Sequence, residues 1–200
     1  MKKGERRKDE LIKIAYKKFL KNGYEQTSVD EIIEEAQIAK GTFYYHFPSK
    51  EATLAAVIDM MIDDEVYRAK EIIAGSLPVS EKLAAVIYSF RPSRDEQSIA
   101  NAVNAEDNII LHEKLNKRLI AEAVPLLSEI VKEGIRQGVF ECEQVEERVK
   151  MIFILSFRMF DDGDYTQNDV TAFIDMAEKT IGAKPGTMDF ISELLPKGEK

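Results

Sequence analysis

The 200-residue chain has one cysteine, Cys142, two histidines and no tryptophan. A single thiol excludes an intrachain disulfide, and so few thiol and imidazole groups leave little material for a structural zinc site. Ten glycines and six prolines are too few for a loop-rich or all-β chain. Long apolar runs are missing as well. Stretches such as Leu54-Ala55-Ala56-Val57-Ile58 and Met151-Ile152-Phe153-Ile154-Leu155 fall far short of the ~20 residues that cross a bilayer. The opening residues through Lys8 are basic, but Leu11 to Lys18 is interrupted by lysines, where a signal peptide needs an unbroken apolar stretch. These absences lead to the expectation of a cytoplasmic protein with no membrane partner.

Signatures of catalysis are equally sparse. G-x-S-x-G, the phosphate-cradling G-x-x-x-x-G-K-[ST] and H-E-x-x-H are all missing. Cys142 lies between Glu141 and Glu143, which would raise its thiol pKa rather than activate it. Asp161-Asp162-Gly163-Asp164 invites a calcium reading, but the EF-hand spacing and its closing glutamate are absent. A polar turn, with Thr166 capping the next helix and Asp169 three residues on, accounts for it. The expectation is therefore no catalytic residues, no metal and no cofactor.

What the chain does have is hydrophobic residues at 44%, charged residues at 32% and a net charge of −8, an ordinary globular balance. The charge is uneven. Residues 1–50 carry a net +3, and residues 51–200 carry −11. A basic head on an acidic body points to a polyanion met by the head alone; a solvated charged face explains the same numbers.

Helical periodicity runs end to end. Leu11, Ile12, Ala15 and Phe19 share one face of a first helix from about Arg6 to Lys21, closed by Asn22-Gly23. Ser28 and Glu31 form a capping box for a short second helix with Val29, Ile32, Ile33 and Ala36 on one face. Gln37-Ile38-Ala39 allows only a turn. A third short helix from Lys40 to Phe47 turns Phe43 and Phe47 inward and ends at Pro48. Ser49 caps a fourth helix running towards Ile73. Further helices are expected at about 79–90, from Ser93 (a capping box with Glu96), at 107–137 with a kink or restart at Pro125, at 144–160 and at 167–181. Asp189–Leu195 has room for one or two helical turns. No strand alternation of useful length and no internal repeat is present.

Two short helices joined by a tight turn on a first helix make a helix-turn-helix, whose second member enters the DNA major groove. The third helix here shows Lys40, Gly41, Thr42, Tyr44, Tyr45 and His46 on its outer faces. Each of its polar side chains can donate a hydrogen bond and none is acidic, which suits phosphate oxygens and guanine acceptors. A solvated structural helix would instead show Glu, Lys and Ala.

Gly23-Tyr24, Thr27-Ser28-Val29, Ile32, Lys40-Gly41-Thr42-Phe43-Tyr44-Tyr45-His46-Phe47 and Ser49-Lys50-Glu51 together resemble the DNA-binding domain of the tetracycline-repressor (TetR) family over about residues 6–55. The resemblance implies an all-α fold: a three-helix DNA-binding domain over 1–48, joined to a helical ligand-binding and dimerisation domain over 49–200. It implies that Lys40 and Gly41 read base edges and that Tyr44 touches bases or backbone. Thr42, Tyr45 and His46 would meet phosphate, as would Lys50. Thr27 and Ser28 would offer hydroxyls and amides at the second helix's start, where helix N-termini also favour anions. Gln37 stands where many members have glycine; if that position is left-handed, glutamine costs about 1 kcal/mol there.

For the body, the resemblance implies a homodimer through the helices at 144–160 and 167–181. Val145, Val149, Ile152, Phe153 and Phe157 form one apolar stripe, widened by Ile154, Leu155 and Phe160; Val170, Phe173, Ile174, Ala177 and Ile181 form another. Filling the monomer core is the competing use of these stripes. A small-molecule effector pocket is also implied, with Tyr67, Tyr88, Phe90, His112, Phe153, Phe157 and Arg158 as candidates. Arg158, in an apolar helix, needs a partner, and His112 sits in a solvated sequence context. The reading is a ligand-responsive regulator, most simply a repressor, that binds a palindromic operator of double-stranded DNA and is released by population shift, with the fourth helix as lever. A helical protein-interaction module without specific DNA binding is the alternative.

Overall fold

The computed structural model describes residues 3–104, 108–160 and 164–194. Among the described residues the chain is helical and has no strand. The elements are α1 (Lys3–Asn22), α2 (Val29–Glu35), α3 (Lys40–His46), α4 (Lys50–Ala74), α5 (Val79–Ser89), α6 (Gln97–Val103), α7 (Ile109–Arg136), α8 (Val145–Phe160), α9 (Gln167–Ile181) and α10 (Ile191–Leu194). None of these helices is long and apolar enough to cross a membrane. The all-α expectation holds. Residues 161–163, on which the acidic-turn reading falls, lie outside the described residues, as do Asp107 and Leu195. The capping half of that reading is within them: Thr166 and Asp169 form a reciprocal capping box on α9.

The chain clusters into two compact units. Met1–Asp64 packs with Pro92–Asn116, and Glu65–Arg91 packs with Lys117–Lys200. The first unit therefore extends beyond Pro48 to take in part of α4, α6 and the first residues of α7. Its buried side chains include Leu11, Ala15, Phe19, Ile32, Phe43 and Phe47, the residues that the helical spacing placed inward. Tyr24 joins them, its ring 5.2 Å from Phe19 edge-on.

Contacts from α6 tighten this unit. Tyr16 donates its phenolic hydrogen to Glu96 Oε1 at 2.8 Å, and the Tyr24 backbone N–H donates to Ser98 Oγ at 3.0 Å. The expected capping box at Ser93 forms only by half. Glu96 accepts from the Ser93 N–H at 2.8 Å, yet helix starts at Gln97, one residue beyond Glu96. The glutamate that would have closed the box also serves Tyr16.

The turn after α2 is a full Schellman motif. Ile38 N–H reaches Ile33 O at 3.3 Å and Gln37 N–H reaches Glu34 O at 3.1 Å. Gln37 stands at φ +50°, in the left-handed region where a Cβ crowds the following carbonyl. Gln37→Gly should stabilise the protein by about 0.5–1 kcal/mol, read as a rise in the urea midpoint at unchanged slope.

The second unit has its own core. Ala69, Leu83, Val86, Ala123, Leu127, Ile130, Val131, Phe140, Phe173, Ile174, Ala177 and Ile181 belong to it. α7 does not restart at Pro125: it is one helix across that residue, and Ala123, Val124, Leu126, Leu127, Ile130 and Val131 are all buried around the proline. Packing on both sides outweighs the hydrogen bond that proline removes. Lys82 is buried on α5 and donates to both Glu133 carboxylate oxygens at 3.2 and 3.0 Å, the partner that a buried ammonium requires. Cys142 has its thiol pKa raised, by burial first, while Arg148 opposes the rise; the flanking carboxylates are not the cause.

Candidate nucleic-acid interface

Phe43 and Phe47 anchor α3 from inside at 5.8 Å ring separation. With one face of a seven-residue helix fixed in this way, the remaining side chains are pushed outward. Tyr44 is 44% and Tyr45 83% exposed, a poor choice for a face that meets only water. Tyr44 packs edge-on against Phe43 at 5.5 Å, and Tyr45 against His46 at 5.0 Å, so these rings are held rather than loose. Thr42 and His46 are half-buried on the same helix. Gly41 is exposed, and a Cβ added there would meet nothing within 4 Å. The fold does not require glycine at that position, and glycine weakens a helix by about 1 kcal/mol.

Lys40 opens α3 and gives a hydrogen-bonded ion pair to Asp30 Oδ1 at 2.9 Å. That bond is the first cause of its raised ammonium pKa. Lys50, at the start of α4, donates to Glu25 O at 3.2 Å and lies 4.2 Å above the Tyr24 ring. The Tyr24 phenol is pushed up to about 12, by burial and then by Glu51 and Glu25; it stays a neutral donor at any working pH. Ser49 caps α4, accepting from the Ala52 N–H at 3.2 Å.

The start of α2 differs from expectation. Thr27 is 1% exposed and its hydroxyl donates to Gly23 O at 2.8 Å, with Lys18 O a second acceptor at 3.3 Å. That hydroxyl is a structural clasp, since it has no exposed face to turn to phosphate. Ser28 is exposed, but Glu31 accepts from its backbone N–H at 2.7 Å and from its hydroxyl at 2.9 Å. Those two bonds lower the Glu31 carboxyl pKa. An internal carboxylate thus already occupies part of the α2 N-terminus, and any phosphate must compete with it.

The seven body residues differ in their settings. Tyr67 and Tyr88 are 64% and 49% exposed, and Tyr67 is hydrogen-bonded to Glu71. Phe90 and Phe153 pack against the second unit's core, with Phe157 edge-on to Phe153 at 5.0 Å. His112 belongs to the first unit, half-buried with Asn116 Nδ2 3.2 Å from its Nε2. Arg158 is exposed, on the outer face of α8, where water rather than a buried partner can serve its charge. Among the described residues no group of His, Cys, Asp or Glu could hold a metal ion. Sequence reasoning missed Asp30, Glu25 and the α6 contacts Glu96 and Ser98. Only Glu96 left a local sign, its spacing from Ser93.

Residues 11–57, from α1 into α4, match the profile of the bacterial regulatory proteins of the tetR family. The HTH-type transcriptional repressor KstR2 of Rhodococcus jostii (strain RHA1) is 26% identical over 141 residues, covering 68% of this chain and 69% of that protein. The fatty acid metabolism regulator protein of Bacillus subtilis (strain 168) is 29% identical over 133 residues, covering 64% of this chain and 68% of that protein. Over residues 11–57 the chain carries the domain of the tetR-family bacterial regulatory proteins. It is a DNA-binding transcriptional regulator. The likeness of fold extends beyond the head: a crystal structure of RolR in complex with the ligand resorcinol aligns over 98% of both chains with a TM-score of 0.64, at 19% identity. The matched region holds the second half of α1, α2, α3, the clasp at Thr27 and the grip of Lys50 on Tyr24.

Proposed function

We propose that this TetR-family regulator represses transcription by binding a palindromic operator as a homodimer, and that a small molecule held in its second unit releases it. The observation that carries the DNA half is α3: outer faces built of held donors, with no acid on the helix. Lys40, Gly41 and Tyr44 read bases. Thr42, Tyr45, His46, Lys50 and the exposed hydroxyl of Ser28 position the backbone. Thr27 takes no part through its side chain. Repression follows the named relatives, and the ligand half follows the resorcinol complex of RolR. Phe90, Phe153 and Phe157 suit the apolar lining of such a pocket, and α4, whose residues belong to both units, is the lever.

Dimerisation is supported by α8. Val149 is buried and Ile152 and Phe153 pack inward, whereas Met151, Ile154 and Leu155 stay 65%, 40% and 39% exposed. Together with Arg158 they form one stripe at helical spacing. The α9 stripe is different: Val170, Phe173, Ile174, Ala177 and Ile181 are all buried within the unit. The proposed apolar seam therefore belongs to α8, with α9 contributing its exposed small and charged residues.

Selection from randomised duplexes at ~100 mM salt tests the DNA half. Enrichment of one palindrome is expected; enrichment of nothing by folded, ligand-free protein would leave the interaction-module reading. Lys50→Ala should weaken binding to every duplex about tenfold and flatten the salt slope by about one, because Lys50 meets phosphate.

A further inference from the structure

The first charged side chain of the recognition helix is not free in the unbound protein. Lys40 is the sole lysine or arginine on α3, and its Nζ stands 2.9 Å from Asp30 Oδ1, an acid in the first turn of α2. The pair joins the two helices of the helix-turn-helix across ten residues of sequence. Both side chains are well exposed, at 63% and 74%, so neither is forced together by burial. An exposed pair of this kind contributes little to stability. Its consequence lies in what Lys40 presents.

Resting on the DNA-binding reading above, we propose that Asp30 is a positioning residue that sets sequence discrimination by holding Lys40. An untethered lysine is a mobile cation that can neutralise any phosphate it reaches, which raises affinity for all sequences alike. Tethered, its charge is balanced by Asp30. While the pair is closed, one of its three N–H donors is used and the reach of the other two is restricted. A restricted pair of donors rewards a base edge that offers acceptors in register and gains little from a phosphate elsewhere. With Lys40 paired, α3 has no other permanent charge, so its contacts depend on hydrogen-bond geometry rather than on attraction to the polyanion. Glu31, which already covers the α2 N-terminus through Ser28, works in the same direction.

The test compares wild type, Asp30→Asn, Lys40→Met and the double variant on the selected palindrome and on a scrambled duplex, across a salt series. Asp30→Asn should tighten binding to the scrambled duplex about fivefold and change palindrome binding less than twofold. Its salt slope on scrambled DNA should steepen by about one. In the Lys40→Met background the same substitution should change neither duplex by more than twofold, since the effect runs through Lys40. Asp30→Glu, which keeps the charge, should restore most of the discrimination. An unchanged ratio of the two affinities in Asp30→Asn overturns the inference, as does an equal effect with and without Lys40; a loss of both affinities together with a lower melting temperature assigns Asp30 to helix stability alone. If wild type prefers no duplex, the DNA-binding reading fails instead, so the two failures are distinct.

Discussion

Gly182→Ala should cost the protein at least about 3 kcal/mol and lower its melting temperature by about 10 °C. Two separate strains meet at this residue. Its backbone is left-handed, at φ +65°, where it caps α9, and a non-glycine residue there costs about 1 kcal/mol. A Cβ would also stand 2.1 Å from Glu141 O and 2.7 Å from Glu141 C. Those are backbone atoms, tied down by the Glu141 N–H donating to Ile181 O at 3.1 Å. No rotamer change relieves the clash; the chain crossing has to open, beside the buried Ile181 and Phe140. Gly138 supplies the comparison. It is left-handed as well, at φ +72°, with nothing within 4 Å of an added Cβ. Gly138→Ala should therefore show the conformational cost alone, about 1 kcal/mol. Similar losses for the two variants in thermal or urea unfolding would mean that the crossing at Glu141 is not a constraint in solution.

The same contrast separates what the sequence could reveal from what it could not. Features fixed within a few residues were legible. α9 spans Gln167–Ile181 because Thr166, Asp169 and the apolar spacing say so locally. The inward Phe43 and Phe47 and the outward Tyr44 and Tyr45 follow from a period of 3.6. Features that depend on a distant partner were not legible. The clasp at Thr27 needs Lys18 and Gly23, so a threonine at a helix start passed for a phosphate donor. Glu96 was read as a helix cap and is also the partner of Tyr16. Arg158 has apolar neighbours in sequence, and it is exposed because α8 keeps an outer stripe. Pro125 was a breaker on local grounds and was overridden by burial on both sides. In the candidate site, residue types were legible from α3 alone, whereas the charges that hold them, Asp30 on Lys40 and Glu25 with Tyr24 on Lys50, come from other segments.

Met151→Glu combined with Leu155→Glu should convert the proposed dimer into a folded monomer and lower operator affinity at least 100-fold. Both side chains lie on the outer stripe of α8 and are substantially exposed in the single chain, so charging them opens no cavity and buries no charge within the unit. The melting temperature of the dilute protein should consequently move by only a few degrees. In a twofold dimer the same stripe faces its own copy, and four added carboxylates would stand across one seam, desolvated and like-charged. The loss of DNA affinity follows from valency. In the proposed complex one short α3 reads a few base pairs, and a palindrome is held because the second half-site binds at the effective concentration set by the first, an advantage of about 10²–10⁴. Analytical ultracentrifugation supplies the oligomeric state, and titration on full and half palindromes supplies the binding. The variant should bind both duplexes equally weakly, with wild-type affinity for a single half-site, because α3 itself is untouched. A variant that remains dimeric would remove α8 from the interface, and a monomer that still prefers the full palindrome would remove the interface from DNA recognition. Phe153→Glu makes the opposite case: this ring packs against the buried core and should unfold the second unit, which separates the outer face of α8 from its inner one.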